Sequence, residues 1–232
     1  MAETPQNPPR QFVNFLFMRV SSKWRRLDEK TKEQGRREFA EAFNEYSRKM
    51  ILISYSTLGV RADCDFMLWR ISYRLEDFSE MSAKILKTGL GNYLSPVYSY
   101  LCMTKRSNYI DKISPEHGES RARIVPGKHP YIFVYPFVKT RDWYLLPLPQ
   151  RQEMMDQHIR IGNKYPSVKL NTTYSFGLDD QEFVVAFETD KPQDFLDLVM
   201  ELRESQASRY TLRDTPTFTC ILKPIQELVA DL

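Results

Sequence analysis

The chain has 232 residues, 42% of them hydrophobic, which suffices for one large core or two small ones. Its 33 basic and 30 acidic residues leave a net charge of +3, too balanced for charge-driven binding to nucleic acid or to an anionic membrane surface. Cys64, Cys102 and Cys220 lie far apart and form no CxxC pair, which argues against a zinc site or a disulfide framework and fits a reducing compartment. No apolar run reaches the length of a membrane span, and the polar, proline-rich stretch Met1 to Arg10 has no export-signal character. A soluble, cytoplasmic protein is expected.

Residues 1–10 read as a disordered tail. Phe12 to Val20 then forms a strand-like apolar run, and Leu27 to Lys49 places Phe39, Ala42, Phe43 and Tyr46 at helical spacing. Strands are predicted at Ile51 to Leu58 and Asp65 to Ser72, joined by a turn at Gly59; a helix starts at Leu75, and Pro96 to Met103 is a strand. Residues 106–129 lack periodicity and read as a linker. Beyond it the order recurs. Strand Tyr131 to Lys139 precedes a helix with Pro149 in its first turn and Gly162 just past its end. Strands Val168 to Phe176 and Gln181 to Phe187 flank the turn at 177–180. Helix Lys191 to Ser205 and strand Thr217 to Leu222 complete the set.

The two halves look like copies. Trp24 and Trp143 stand 119 residues apart (143 − 24), as do the pairs Tyr55-Ser56 and Tyr174-Ser175. The expected fold is α+β: two tandem ferredoxin-like βαββαβ repeats with antiparallel sheets, of the dimeric α+β barrel type. The first repeat would span 11–105 and the second 130–232. Helices cover one face of such a sheet, and the second copy can cover the other.

A duplicated fold that does chemistry in one half should carry polar residues there where the other half keeps core. At offset 119, His158 falls on Phe39, on the apolar stripe of its helix with Met154 and Met155. A buried histidine satisfied by a hydrogen bond is one reading; an axial ligand to haem iron is the other. His117 and His129 lie in the linker and read as solvated. Tyr135 and Lys139 replace Leu16 and Val20 of the first copy, and Tyr135, Phe137 and Lys139 project to one strand face. Either this is an edge strand with a snorkelling lysine, or a surface for redox chemistry beside a carboxylate.

The stretches YPFVK, DWYLLP, RQEMMDQHIRIGNKY and YSFGLDDQEF resemble the chlorite dismutase superfamily, most closely its coproheme decarboxylase branch. The resemblance is close over most of the second half and extends to the first at the level of fold. It implies a haem-dependent oxidoreductase that decarboxylates two propionates of iron coproporphyrin III with hydrogen peroxide to give haem b, the substrate acting as its own cofactor. It also implies a homopentamer. By resemblance His158 matches the proximal iron ligand, Tyr135 the radical tyrosine and Lys139 the lysine acting on a propionate. Arg121, Arg203 and Ser208 match propionate-binding positions, as suits a tetracarboxylate porphyrin. Phe137 stands where the family has methionine, and Leu170 where chlorite dismutases carry a distal arginine and decarboxylases often glutamine. Alternation puts Val168, Leu170, Thr172 and Tyr174 on one strand face and Asn171 on the other, so Leu170 and Phe137 are assigned to the distal wall. Leu170 disfavours chlorite chemistry. A non-decarboxylating haem-binding, transfer or sensing protein and a chlorite dismutase-like haem peroxidase are the alternatives; the charge and strand composition disfavour an RNA binder.

Overall fold

The structure, a computed structural model, describes residues 9–107, 109 and 123–232. The first half runs β1 (Phe12–Val20), α1 (Glu29–Tyr46), β2 (Ile51–Ser56), β3 (Phe66–Ser72), α2 (Glu76–Ile85) and β4 (Leu94–Met103). The second runs β5 (Tyr131–Lys139), α3 (Arg141–Leu145), α4 (Leu148–Gly162), β6 (Lys169–Tyr174), β7 (Phe183–Thr189), α5 (Pro192–Arg203), β8 (Thr211–Arg213), β9 (Phe218–Leu222) and α6 (Ile225–Ala230).

Each half contributes an antiparallel sheet, ordered β4-β1-β3-β2 in the first and β6-β7-β5-β9 in the second. Pairing of β2 with β9 and of β4 with β6 closes these eight strands into a barrel, and β8 adds to the end of β5. Closure removes the exposed edges that two separate sheets would carry. The seams are short: Tyr55 and Ser56 face Leu222 and Ile221, and Met103 faces Tyr174.

Alternation along the strands sorts side chains into two layers. Val13, Phe15, Phe17, Ile132, Val134, Val184 and Phe218 point into the barrel, where the Phe17 and Phe218 rings stack 3.9 Å apart. Outside, Leu16, Met18, Phe66 and Leu68 bury against Phe39, Phe43 and Tyr46 of α1. That helix starts at Asp28, whose carboxylate accepts from the Thr31 backbone N–H at 3.0 Å, an N-cap that satisfies one free donor of the first turn. The last helix, α6, crosses back and inserts Ile225, Leu228 and Val229 into the same first-half layer.

Some boundaries differ from expectation. Gly162 is the last residue of α4 rather than the residue beyond it, and Asn163 caps the helix with ordinary right-handed geometry. Strand β6 stops at Tyr174, because Ser175 turns back to the carbonyl of Leu101 and the Asp179 carboxylate accepts from the Leu101 N–H at 2.8 Å. Gln181 belongs to this turn, its amide donating to Ser175 and Asp179, so β7 begins at Phe183 and runs on to Thr189. Gly59 and Gly177 take positive φ (74° and 73°), the conformation their two turns require. Helices α3 and α6 and the three-residue β8 were not anticipated. Among the described residues no helix is long and apolar enough to cross a membrane.

Candidate haem site

The second repeat repeats the outer layer of the first, but leaves it open. Register fixes three cross-strand rows on the outer face: Phe133, Phe187 and Leu170; Tyr135, Val185 and Thr172; Phe137, Phe183 and Tyr174. The equivalent layer of the first repeat is sealed, Phe39 being 0% exposed. Here Tyr135, Phe137, Thr172, Tyr174, Phe183 and Val185 all stay half-buried, and Leu170 is 43% exposed. The buried cluster on this side contains Phe133, Ile161, Phe187, Phe195 and Leu198. It lies at the first row, under the C-terminal end of α4.

His158 lies one helical turn before Ile161, half-buried on α4. Among the described residues none hydrogen-bonds its ring, so the reading of a histidine satisfied by a protein partner finds no support. Desolvation first, and the positive charge of Lys139 second, push its pKa down to about 4. At neutral pH the imidazole is therefore uncharged with a free lone pair, the form that ligates a metal.

Lys139 ends the β5 row and is buried. Its ammonium donates to the Ala207 carbonyl at 2.7 Å and sits 4.5 Å over the Trp143 ring, and its pKa is lowered to about 8, chiefly by burial. Tyr135, two residues before Phe137, stacks against Phe187 at 6.0 Å. Its phenol is pushed above the ordinary tyrosine range, first by desolvation, then by the charge of Asp214, while Arg203 opposes. The phenol therefore stays protonated at neutral pH.

Arg203, at the end of α5, is 59% exposed in its side chain and pairs with Asp214 at 2.5 Å. The Ser208 hydroxyl lies 2.7 Å from the Arg203 carbonyl and 2.8 Å from that of Ser205, so it is engaged with backbone. The structure thus gathers Tyr135, Lys139, His158, Arg203 and Ser208 at one end of the second repeat. Leu170 and Phe137 share the Tyr135 face, and Asn171 turns inward to donate to Glu188 at 3.0 Å. Arg121 and His117 lie outside the described residues.

Two partners escaped the sequence reading. Glu182 accepts from the Lys139 backbone N–H at 2.8 Å and from the Tyr144 hydroxyl at 2.5 Å, fixing the end of β5 against α3. Asp214 holds Arg203. Both are acidic residues remote in sequence from what they bind, and spacing gives no signal for either.

The donor set suits an iron porphyrin. An aromatic, half-open sheet face offers apolar area for a flat ring, an unpartnered neutral imidazole offers the axial ligand, and Lys139, Arg203 and Ser208 offer contacts for carboxylates at one rim. Residues 32–223 match the protein family described as Chlorite dismutase. A coproheme decarboxylase of Mycolicibacterium smegmatis is 33% identical over 181 residues, covering 77% of this chain and 75% of that protein. One from Staphylococcus saprophyticus is 33% identical over 168 residues, 67% of each. Among solved structures, a chlorite dismutase variant from Candidatus Nitrospira defluvii has a TM-score of 0.88 at 24% identity, covering 97% of this chain and 96% of that one, a likeness of fold.

The chain belongs to the chlorite dismutase family and is a haem-dependent oxidoreductase of that family. Within it, the chain resembles the coproheme decarboxylases, at 33% identity to the two relatives given.

Proposed function

We propose that this chain is itself a coproheme decarboxylase: it converts two propionates of iron coproporphyrin III to vinyl groups with hydrogen peroxide, giving haem b. The observation that carries the reading is the line of Tyr135, Phe137 and Lys139 on one face of β5, beneath a helix whose imidazole has no hydrogen-bond partner among the described residues. The iron porphyrin, when bound, would supply with peroxide the oxidising equivalents. His158 would hold it through a neutral ring nitrogen. Lys139, cationic at neutral pH, would orient a carboxylate, with Arg203 and Ser208 holding others and Arg121 contributing by resemblance. Tyr135 gives up its phenolic hydrogen atom and, as a phenoxyl radical, takes one from the propionate carbon next to the ring, which restores the phenol. Loss of a second electron and of carbon dioxide leaves the vinyl group. Each propionic acid and one peroxide thus yield one vinyl, one carbon dioxide and two waters. A cytoplasmic homopentamer is the assembly that the family resemblance adds to this reading.

Leu170 favours a second reading, haem binding without decarboxylation, because an apolar, 43% exposed residue on the sheet side cannot polarise a bound peroxide. Mixing the protein with iron coproporphyrin III and peroxide and analysing the porphyrins separates the two. Vinyl products are expected from the wild type. Tyr135→Phe, which removes only the oxygen, should bind the substrate and consume peroxide yet form no first vinyl; decarboxylation at the wild-type rate would remove the radical role.

A further inference from the structure

The geometry points to the Thr172 hydroxyl as the hydrogen-bond donor to a small ligand held opposite His158, the donor that Leu170 does not supply. This rests on the reading that an iron porphyrin binds between α4 and the sheet.

The placement follows from two ends. Ile161 of α4 packs in the cluster with Phe133 and Phe187, the first of the three rows. Helix α4 runs back along β5: Gln157, just before His158, accepts from the Gln206 backbone N–H at 3.3 Å, and the neighbouring Ala207 carbonyl accepts from Lys139 at the far end of that strand. His158 stands about 4.5 Å along the axis from Ile161, and the next row of the sheet stands about 6.6 Å along the strands. The second row, Tyr135, Val185 and Thr172, is therefore the one that faces the imidazole.

Within that row the chemistry is unequal. Val185 is apolar and Tyr135 is committed to the propionate side. Thr172 is half-buried, and among the described residues nothing hydrogen-bonds its hydroxyl. Its neighbours confirm the facing: Asn171 and Thr173 are buried on the barrel side, bonded to Glu188 and to the Val184 carbonyl. The rest of the outer face offers Leu170, Phe133, Phe137, Phe183 and Phe187, none with a donor, Tyr174, whose hydroxyl is engaged with Ser107, and Lys139, whose ammonium is held by the Ala207 carbonyl. A threonine in a strand needs no function, since β-branched residues pack well there. An unpartnered hydroxyl in the row under the imidazole goes beyond that need.

Fluoride bound to ferric haem b is the probe, because the anion is a strong hydrogen-bond acceptor whose retention depends on a distal donor. In the full chain loaded with ferric haem b, Thr172→Val is expected to weaken fluoride binding roughly ten- to hundredfold, the loss of one hydrogen bond to an anion. Thr172→Ser, which keeps the hydroxyl, should remain close to wild type. Equal affinity in wild type and the valine variant would overturn the inference, as would a serine variant that falls as far as valine. His158→Ala, read from the haem absorption spectrum, tests the underlying reading separately: an unchanged spectrum would show the ring bound elsewhere, and the assignment of Thr172 would fall with it.

Discussion

Replacing His158 by phenylalanine, the residue that the first repeat carries at the matching position, should make the ligand-free protein more resistant to acid. The folded imidazole has its pKa pushed from the ordinary 6.5 to about 4. Because the unfolded chain then binds more protons than the folded one between those values, the folded state is at full strength above pH 6.5 and weakens as pH falls toward 4. The whole shift corresponds to about 3 kcal/mol at 1.36 kcal/mol per unit, of which about 2 kcal/mol is already lost at pH 5. Solvent reaches part of the half-buried ring, so these figures are upper bounds. Lys139, with a pKa of about 8, stays charged throughout this window and adds no slope of its own. Urea titrations of wild type and His158→Phe at pH 7.5 and pH 5 measure the difference directly. The variant should match or exceed the wild type at pH 7.5 and gain up to about 2 kcal/mol on it at pH 5. Identical acid sensitivity would mean that the imidazole is not desolvated in the folded chain, and its use as a poised neutral ligand would lose its physical basis.

Two further outcomes bear on the cross-over helix and on substrate choice. Leu228→Ala removes a side chain 1% exposed in the layer shared by α6 and α1, and should cost about 2–5 kcal/mol of unfolding free energy by chemical denaturation; a loss under 1 kcal/mol would mean that α6 is only loosely docked. Iron coproporphyrin III should bind more tightly than haem b in a spectroscopic titration, since each extra carboxylate can gain about 1.5–3 kcal/mol from a charged hydrogen bond. Part of that gain is offset because Arg203 must exchange its Asp214 partner, so equal affinities would count against Lys139 and Arg203 as propionate contacts.

The fold was legible because both repeats write the same two periods. Phe12–Val20 and Tyr131–Lys139 are predominantly apolar runs since each strand buries one face in the barrel and turns the other to a helix. The 119-residue offset then aligned the two copies. Helix α6 was not legible: its six residues have too short a pattern to announce a helix, and only the first-half core that receives Ile225, Leu228 and Val229 decides it. Helix α3 and β8 are shorter still and are set by what surrounds them. Gly162 misled for a related reason. A glycine near a helix end suggests a left-handed cap, but Asn163 and Lys164 close the helix with N–H bonds to the Ile159 and Ile161 carbonyls.

Within the site, what could be read was asymmetry between copies. His158 against Phe39 and Tyr135 against Leu16 exchange polar groups for core on matching faces, and such exchanges cost stability unless something else uses them. The alternation that set Leu170 and Asn171 on opposite faces also describes β6 as it stands. What could not be read were the partners that hold these groups, because the Glu182 and Asp214 contacts depend on tertiary approach. Physically, the two repeats divide the labour. Twenty-one buried hydrophobic residues form one cluster in the outer layer of the first, with α6 lent to it by the second, whereas among the described residues the corresponding cluster of the second holds five. The shared barrel core and the first repeat therefore carry the stability. That frees α4 to stand over a half-open aromatic face with an unpartnered imidazole, an arrangement that a repeat folding alone would close by packing, as Phe39 does in the first copy.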